Sequence, residues 1–268
     1  MSGTTHHHAT FPAVEAAAFT RRHLDDLAAG LLGTVRVPGF FGRPALDTML
    51  TSLHRVPVVS FDLDRMHHPM ARFGTALNDY RTPELALDAD RYWHDADTAR
   101  RQWAGIGMTP DPLELALDAL GRAWGVRPAP ATIGGRPAFV GMLREVNDGT
   151  FIHYDDINRE YRGGLFDQKI VAQLAFNAWL AAPREGGTTT VWRHRWEPAD
   201  ENRRHGYGFQ PTAVADDPYV TVAPAAGDAL LFNANNYHVV HPGAPGQRRI
   251  ALACFLGVTA GGELVVWS

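Results

Sequence analysis

The segment DGTFIHYDDINREY sets His153 and Asp155 two residues apart. At the end of a strand, side chains at i and i+2 point to the same side, so an imidazole and a carboxylate can converge on one point. A His-x-Asp pair alone is a weak signal, because a surface turn with the histidine bonded to its neighbour satisfies it equally well. A second segment, GDALLFNANNYHVVHPGAPGQRRIALACFLG, adds His238 at the start of a short strand, a Pro-Gly turn, and then Arg248 and Arg249 opening a strongly apolar run. Two neutral imidazole nitrogens and one carboxylate form a facial triad suited to ferrous iron, with three positions left for an oxoacid and dioxygen. A guanidinium buried downstream needs a partner, and the distal carboxylate of 2-oxoglutarate can supply one bidentately. Adjacent strand residues face opposite sides, so only one of the two arginines can enter the interior. His241, three residues beyond His238, is the rival for the third ligand.

The elements that must position these residues change character along the chain. PAVEAAAFTRRHLDDLAAGLL, from Pro12 to Leu32, is rich in helix formers with Phe19, Leu24, Leu27, Leu31 and Leu32 near helical spacing, and Gly33 supplies a stop. VRVPGFF follows as a short strand and turn, and RPALDTMLTSLHRV reads as a second helix. Further helices are expected from Asp95 to about Gly105 and from Asp111 to Trp124, the latter opened by prolines and closed by Gly125. Residues 1–137 are therefore expected to be mainly helical support. From residue 138 onward AFVGMLREV, KIVAQLAFNAWLAA, TTTVW, YVTV, ALLFN and RIALACFLGV are β-rich runs separated by turn residues. Helices before strands, with no repeat and no low-complexity linker, predict one α+β domain over residues 1–268 whose helices buttress a barrel or sandwich. Residues 193–218 form a long polar stretch, to be read as either a lid or a surface insertion.

Composition narrows the partners. A formal charge of -4 with acidic and basic residues intermixed gives no extended basic surface, so nucleic acid is not expected. Lys169 is the one lysine among 25 basic residues, a compositional bias rather than a chemical feature. Cys254 is the only cysteine, which excludes an internal disulfide and a thiolate metal cage. No stretch approaches about 18 consecutive apolar residues, and the N-terminal residues show no secretory pattern. The expectation is a soluble, cytoplasmic protein acting on a small molecule, with no membrane partner. His6, His7 and His8 read as a polar leader.

The runs HYD, EGGTTTVW, GDALLFN, YHVV, RRIALACFLG and the terminal VVWS together resemble the iron(II)/2-oxoglutarate oxygenase superfamily. Within it they are similar to the aliphatic halogenases of hapalindole and welwitindolinone biosynthesis and their hydroxylase relatives. The likeness covers roughly residues 138–268. It implies a double-stranded β-helix of the jelly-roll, cupin-like kind, with Fe(II), 2-oxoglutarate and O2 as cofactor and co-substrates. By position it assigns the metal to His153, Asp155 and His238, and the co-substrate to the arginine pair, with Arg249 favoured over Arg248. Those halogenases leave the second ligand position to glycine or alanine so that chloride can bind; here Asp155 fills it, which implies hydroxylation. An amino-acid-like or natural-product substrate is the corresponding expectation.

Other residues carry two readings each. Gly186 and Gly187 match the family's turn but are explained by a tight turn needing positive φ. Gln173, Asn177 and Trp179 share a strand face, so Asn177 can touch 2-oxoglutarate or simply be solvated. Asp156, with Asn158, Arg159 and Glu160, follows the HYD motif, where Asp156 could hold a substrate amine or lie in a solvated loop. Two rivals remain at this point: a zinc hydrolase using the same three ligands, and a jelly-roll binding protein without a catalytic metal.

Overall fold

The computed structural model describes residues 10–56, 59–60 and 70–268. The leader histidines His6, His7 and His8 lie outside these residues.

The four main helices begin and end where their own residues can satisfy the backbone. Thr20 caps Arg21–Ala28 by accepting from the His23 amide at 3.3 Å, and Leu24 and Leu27 bury the helix's apolar side. Arg43–Ser52 opens on Pro44 and buries Leu46 and Met49. Asp88 caps Ala89–Ile106, and Asp111 caps Pro112–Trp124 by accepting from the Leu113 amide at 2.8 Å. Gly107 and Gly125, at φ 59° and 98°, end those two helices in the left-handed conformation that glycine adopts without steric penalty.

One expectation fails here. The stretch from Pro12 to Leu32 is not one helix: Ala13–Glu15 is a strand paired parallel to Thr34–Val37, and the helix is confined to Arg21–Ala28. Edge pairing with a neighbouring strand, together with burial of Phe11, outweighs the helix propensity of the alanine run. The stop comes at Gly30, φ 74°, rather than at Gly33.

The β-rich runs all become strands. The long Ile170–Ala181 strand lies between Ala229–Asn233 and Ile250–Thr259, and Met142–Glu145 pairs on the far side of Ile250–Thr259, all antiparallel, within a ten-stranded sheet. Leu264–Trp267 also pairs with Ile250–Thr259. A three-stranded antiparallel sheet runs Tyr219–Val222, Thr189–Arg195, Asn236–Val240. Side-chain alternation sorts the long strand: Leu174, Phe176, Ala178 and Leu180 join the core shared with the helices, whereas Ala175 and Trp179 pack with Val191, Val220 and Val222 of the small sheet. This is the jelly-roll-like core of the expected α+β fold, with a layer of side chains between two sheets.

Arg36 and Asp228 tie the rim of this core. Arg36 Nε donates to Asp228 Oδ2 at 2.7 Å and the Gly39 amide donates to Oδ1 at 2.8 Å, with both charged side chains largely buried. Removing Asp228 leaves the buried Arg36 with only the exposed Glu15 carboxylate, 3.9 Å away. Asp228→Ala is expected to lower unfolding free energy by about 3 kcal/mol, measured by urea denaturation; a loss under about 1 kcal/mol would show that water solvates Arg36 instead.

Candidate metal centre

His153 and Asp155 sit on an irregular stretch rather than on the strand the sequence suggested. Residues 151–155 make only isolated bridges, Ile152 with Phe209 and His153 with His238. The second is reciprocal: the His153 amide donates to the His238 carbonyl at 2.9 Å and the His238 amide to the His153 carbonyl at 2.7 Å. The Asp155 amide donates to the Ala234 carbonyl at 2.9 Å, which pins Asp155 to the loop before Asn236–Val240. The backbone therefore places both histidines side by side, with ring centroids 4.3 Å apart.

Hydrogen bonds fix which ring nitrogen is free. His153 Nδ1 donates to the Phe151 carbonyl at 2.8 Å and His238 Nδ1 to the Asn236 carbonyl at 2.9 Å. A carbonyl can only accept, so each Nδ1 carries the proton and each Nε2 is left as the potential ligand. Asp155 Oδ2 lies 3.3 Å from His238 Nε2 and 4.0 Å from His153 Nε2, and one ligand atom from each of the three residues falls within 4.8 Å of the others. Among the described residues this is the one such cluster. Burial and the adjacent His238 push His153 down to about 4, which keeps its imidazole neutral near pH 7. Burial opposes the charge on Asp155, but the neighbouring groups, the Arg144 cation among them, prevail and hold its carboxyl at about 2. Lone pairs converging from a carboxylate oxygen and two ring nitrogens repel unless a cation lies among them. The donor set thus fits ferrous iron.

The same pocket is lined by Met142, Arg144, Asn177, Thr189, Arg249 and Ala251 besides the triad. Arg249 is 3% exposed, its Nε donates to the Gly187 carbonyl at 3.0 Å and its Nη2 to Thr189 Oγ1 at 3.2 Å. Burial and the like charge of Arg144 lower its guanidinium to about 10. Among the described residues no carboxylate lies within 4.0 Å of it. Arg248 points the other way and pairs with Glu145 at 2.7 Å on the surface. Strand parity thus separates two residues that the sequence left as alternatives.

The remaining candidates also find places. His241 bonds Thr190 Oγ1 at 2.9 Å and is not part of the cluster. Gly186 and Gly187 form the expected turn, with φ 73° and 65°, and a Cβ on Gly186 would stand 2.3 Å from the Pro242 carbonyl oxygen. Gln173 accepts from the Ile157 amide at 2.9 Å. Asp156 does not line the metal pocket: it caps the Ile157–Glu160 turn and borders a separate polar cleft with Asn158, Arg159 and Arg195. Glu160 is raised to about 8 by burial and then by the negative charges of Asp155 and Asp156. The polar stretch over 193–218 is ordered into 3-10 turns and a short hairpin, Arg204–His205 with Gly208–Phe209. Its Tyr207 hydroxyl accepts from the Phe151 amide at 2.8 Å, and the Phe209 amide donates to the Ile152 carbonyl at 2.8 Å. Sequence reading missed Arg144, Thr189 and Tyr207; for Arg144 the signal was a charge alternating with apolar residues in GMLREV.

If the two Nε2 atoms and one Asp155 oxygen are the ligand set, His238→Ala is expected to weaken iron(II) binding by more than about 100-fold. His241→Ala should leave it unchanged. Anaerobic calorimetry with iron(II) decides between them, and the reverse pattern would move the third ligand to His241.

Comparison with known proteins agrees with this geometry. The family model described as carrier-protein-independent halogenase WelO5 matches residues 32–268. A curated relative, the leucinostatins biosynthesis cluster protein S of Purpureocillium lilacinum, is 29% identical over 117 residues. That match takes in 40% of this chain and 45% of the relative, so the chain spans less than half the length of the curated relative it matches. Among solved structures, an N-substituted L-amino acid dioxygenase from Burkholderia ambifaria AMMD superposes with a TM-score of 0.65 at 16% identity, covering 93% of this chain and 92% of that one. The same enzyme in complex with alpha-KG gives 0.63 at 17% identity, covering 92% and 91%. These likenesses show a shared fold. The match over residues 32–268 shows that the chain belongs to the WelO5 family of carrier-protein-independent halogenases, within the iron(II)/2-oxoglutarate oxygenase superfamily.

Proposed function

We propose that this protein is an Fe(II)/2-oxoglutarate-dependent dioxygenase that hydroxylates an unactivated C–H bond of a small amino-acid-like or natural-product molecule. The observation that carries this reading is a single pocket holding both the converging His153, Asp155 and His238 and a buried arginine with no protein carboxylate within 4.0 Å among the described residues. Iron, 2-oxoglutarate and O2, when bound, supply the oxidising chemistry that converts C–H to C–OH with release of succinate and CO2.

The chain's own residues do the rest. His153, Asp155 and His238 hold the ion, with the Phe151 and Asn236 carbonyls orienting the rings. Arg249, steadied by Gly187 and Thr189, takes the distal carboxylate of 2-oxoglutarate and so offsets its own burial. Asn177 lines the same pocket, and in this reading its amide donates to the co-substrate. A zinc hydrolase would need the triad but would have no use for Arg249 at this depth.

The family name raises the choice between halogen and oxygen transfer. Asp155 puts a carboxylate where the halogenases it resembles keep a small residue, and its oxygen lies 3.3 Å from His238 Nε2. With that ligand in place a halide has no position among the protein's donors. Hydroxylation follows.

Two measurements test this. Arg249→Gln should raise the Michaelis constant for 2-oxoglutarate by about tenfold or more, since a charge-assisted pair is lost; Arg248→Gln, a surface pair, should change it by less than about twofold. The opposite ranking would hand the role to Arg248. Mass spectrometry of products formed in high chloride should show gain of oxygen only, and a chlorinated product from the wild type would sink the hydroxylase assignment.

A further inference from the structure

A second arginine faces the same pocket, and among the described residues it has no partner. Arg144 lies on the Met142–Glu145 strand, where Met142, Arg144 and Val146 line the pocket and Leu143 points into the core behind. It is in register with Ala251, and the Val146 amide donates to the Arg249 carbonyl at 3.0 Å, so Arg144 and Arg249 are diagonal neighbours on one face of adjacent strands. Diagonal neighbours stand roughly 7–8 Å apart, within reach of long side chains, so both arginines can serve one pocket. Its positive charge is felt at His153, Asp155 and Arg249.

Among the described residues, the charged neighbours of Arg144 on its own and the adjoining strand are committed elsewhere. Glu145, its chain neighbour, faces the surface and binds Arg248. Arg72, its cross-strand partner, is itself cationic and pairs with Asp79. Among the described residues no carboxylate lies within 4.0 Å of the Arg144 guanidinium. Charge balance then indicates what it awaits, on the reading given under Proposed function. A divalent ion, the Asp155 carboxylate, the Arg249 cation and dianionic 2-oxoglutarate sum to zero. Arg144 leaves one positive charge over, in a half-buried place where an unpaired cation is costly.

We infer that Arg144 binds the carboxylate of the molecule to be oxidised, which makes that substrate an acid such as an N-acylated amino acid rather than a neutral compound. The guanidinium fork fixes a carboxylate in two dimensions and so also sets which C–H bond faces the metal.

The experiment compares acids with their amides. N-acetyl derivatives of leucine, phenylalanine and tryptophan, each as acid and as primary amide, are titrated calorimetrically into protein loaded with nickel(II), with and without 2-oxoglutarate. In the wild type at least one acid should bind about tenfold or more tightly than its amide, the least that one charge-assisted contact is worth. Arg144→Gln should erase that difference while leaving 2-oxoglutarate affinity and melting temperature unchanged, and Arg144→Lys should restore part of it. Equal binding of acid and amide, or binding of neither, overturns the inference. So does an Arg144→Gln variant that loses 2-oxoglutarate affinity but keeps the acid preference, since the arginine would then serve the co-substrate. Failure of the nickel-loaded wild type to bind 2-oxoglutarate would instead count against the function proposed above, and the acid-over-amide comparison without 2-oxoglutarate would still decide the role of Arg144.

Discussion

The structure depends on keeping three lone pairs aimed at one another. Left to themselves, a carboxylate oxygen and two unprotonated imidazole nitrogens would turn apart or take up protons. Here the rings cannot turn, because each Nδ1 is tied to a carbonyl two residues before it, and the two histidine backbones are bonded to each other in both directions. The repulsion is thereby stored as affinity for a cation, and pre-organisation of this kind is what makes a three-ligand site strong enough to hold a labile metal.

Around that point the two sheets divide the labour. The small sheet delivers His238 and Thr189, the large sheet delivers Arg144, Asn177 and Arg249, and the loop at 151–155 closes the gap between them. Small residues such as Ala175, Ala251 and Ala253 line the pocket between the long side chains. Bulk there would fill the space the reactants need.

Much of this was legible in the chain. Alternation and turn residues marked each strand from Met142 onward, because a strand buried on both faces is written in consecutive β-branched and aromatic residues. That His153, Asp155 and His238 come together was readable because their spacing and order are jointly rare. What stayed ambiguous was settled by long-range contacts. Parity alone could not say which of Arg248 and Arg249 faces inward until Ile250 was known to pair with Glu145. The Ala13–Glu15 strand is made by its partner at Thr34–Val37, and its own residues favour helix. Asp156 drew attention by proximity in sequence, yet a capping bond turns it to the other side of the chain. Arg144 was passed over because a lone charge in a β-rich run reads as a solvent-facing residue until the sheet shows which face is wet.

The hairpin carrying Tyr207 has an implication for redesign. Its hydroxyl, the Phe209 amide and the tight approach of Gly208, where a Cβ would stand 2.3 Å from the Ile152 carbonyl oxygen, all bear on the two residues that precede His153. Any graft that exchanges residues 193–218 to alter substrate scope also exchanges the splint of His153. Chimeras should therefore be cut outside the Tyr207–Phe209 tip and vary only the residues flanking it, so that selectivity can be changed without loosening the centre it serves.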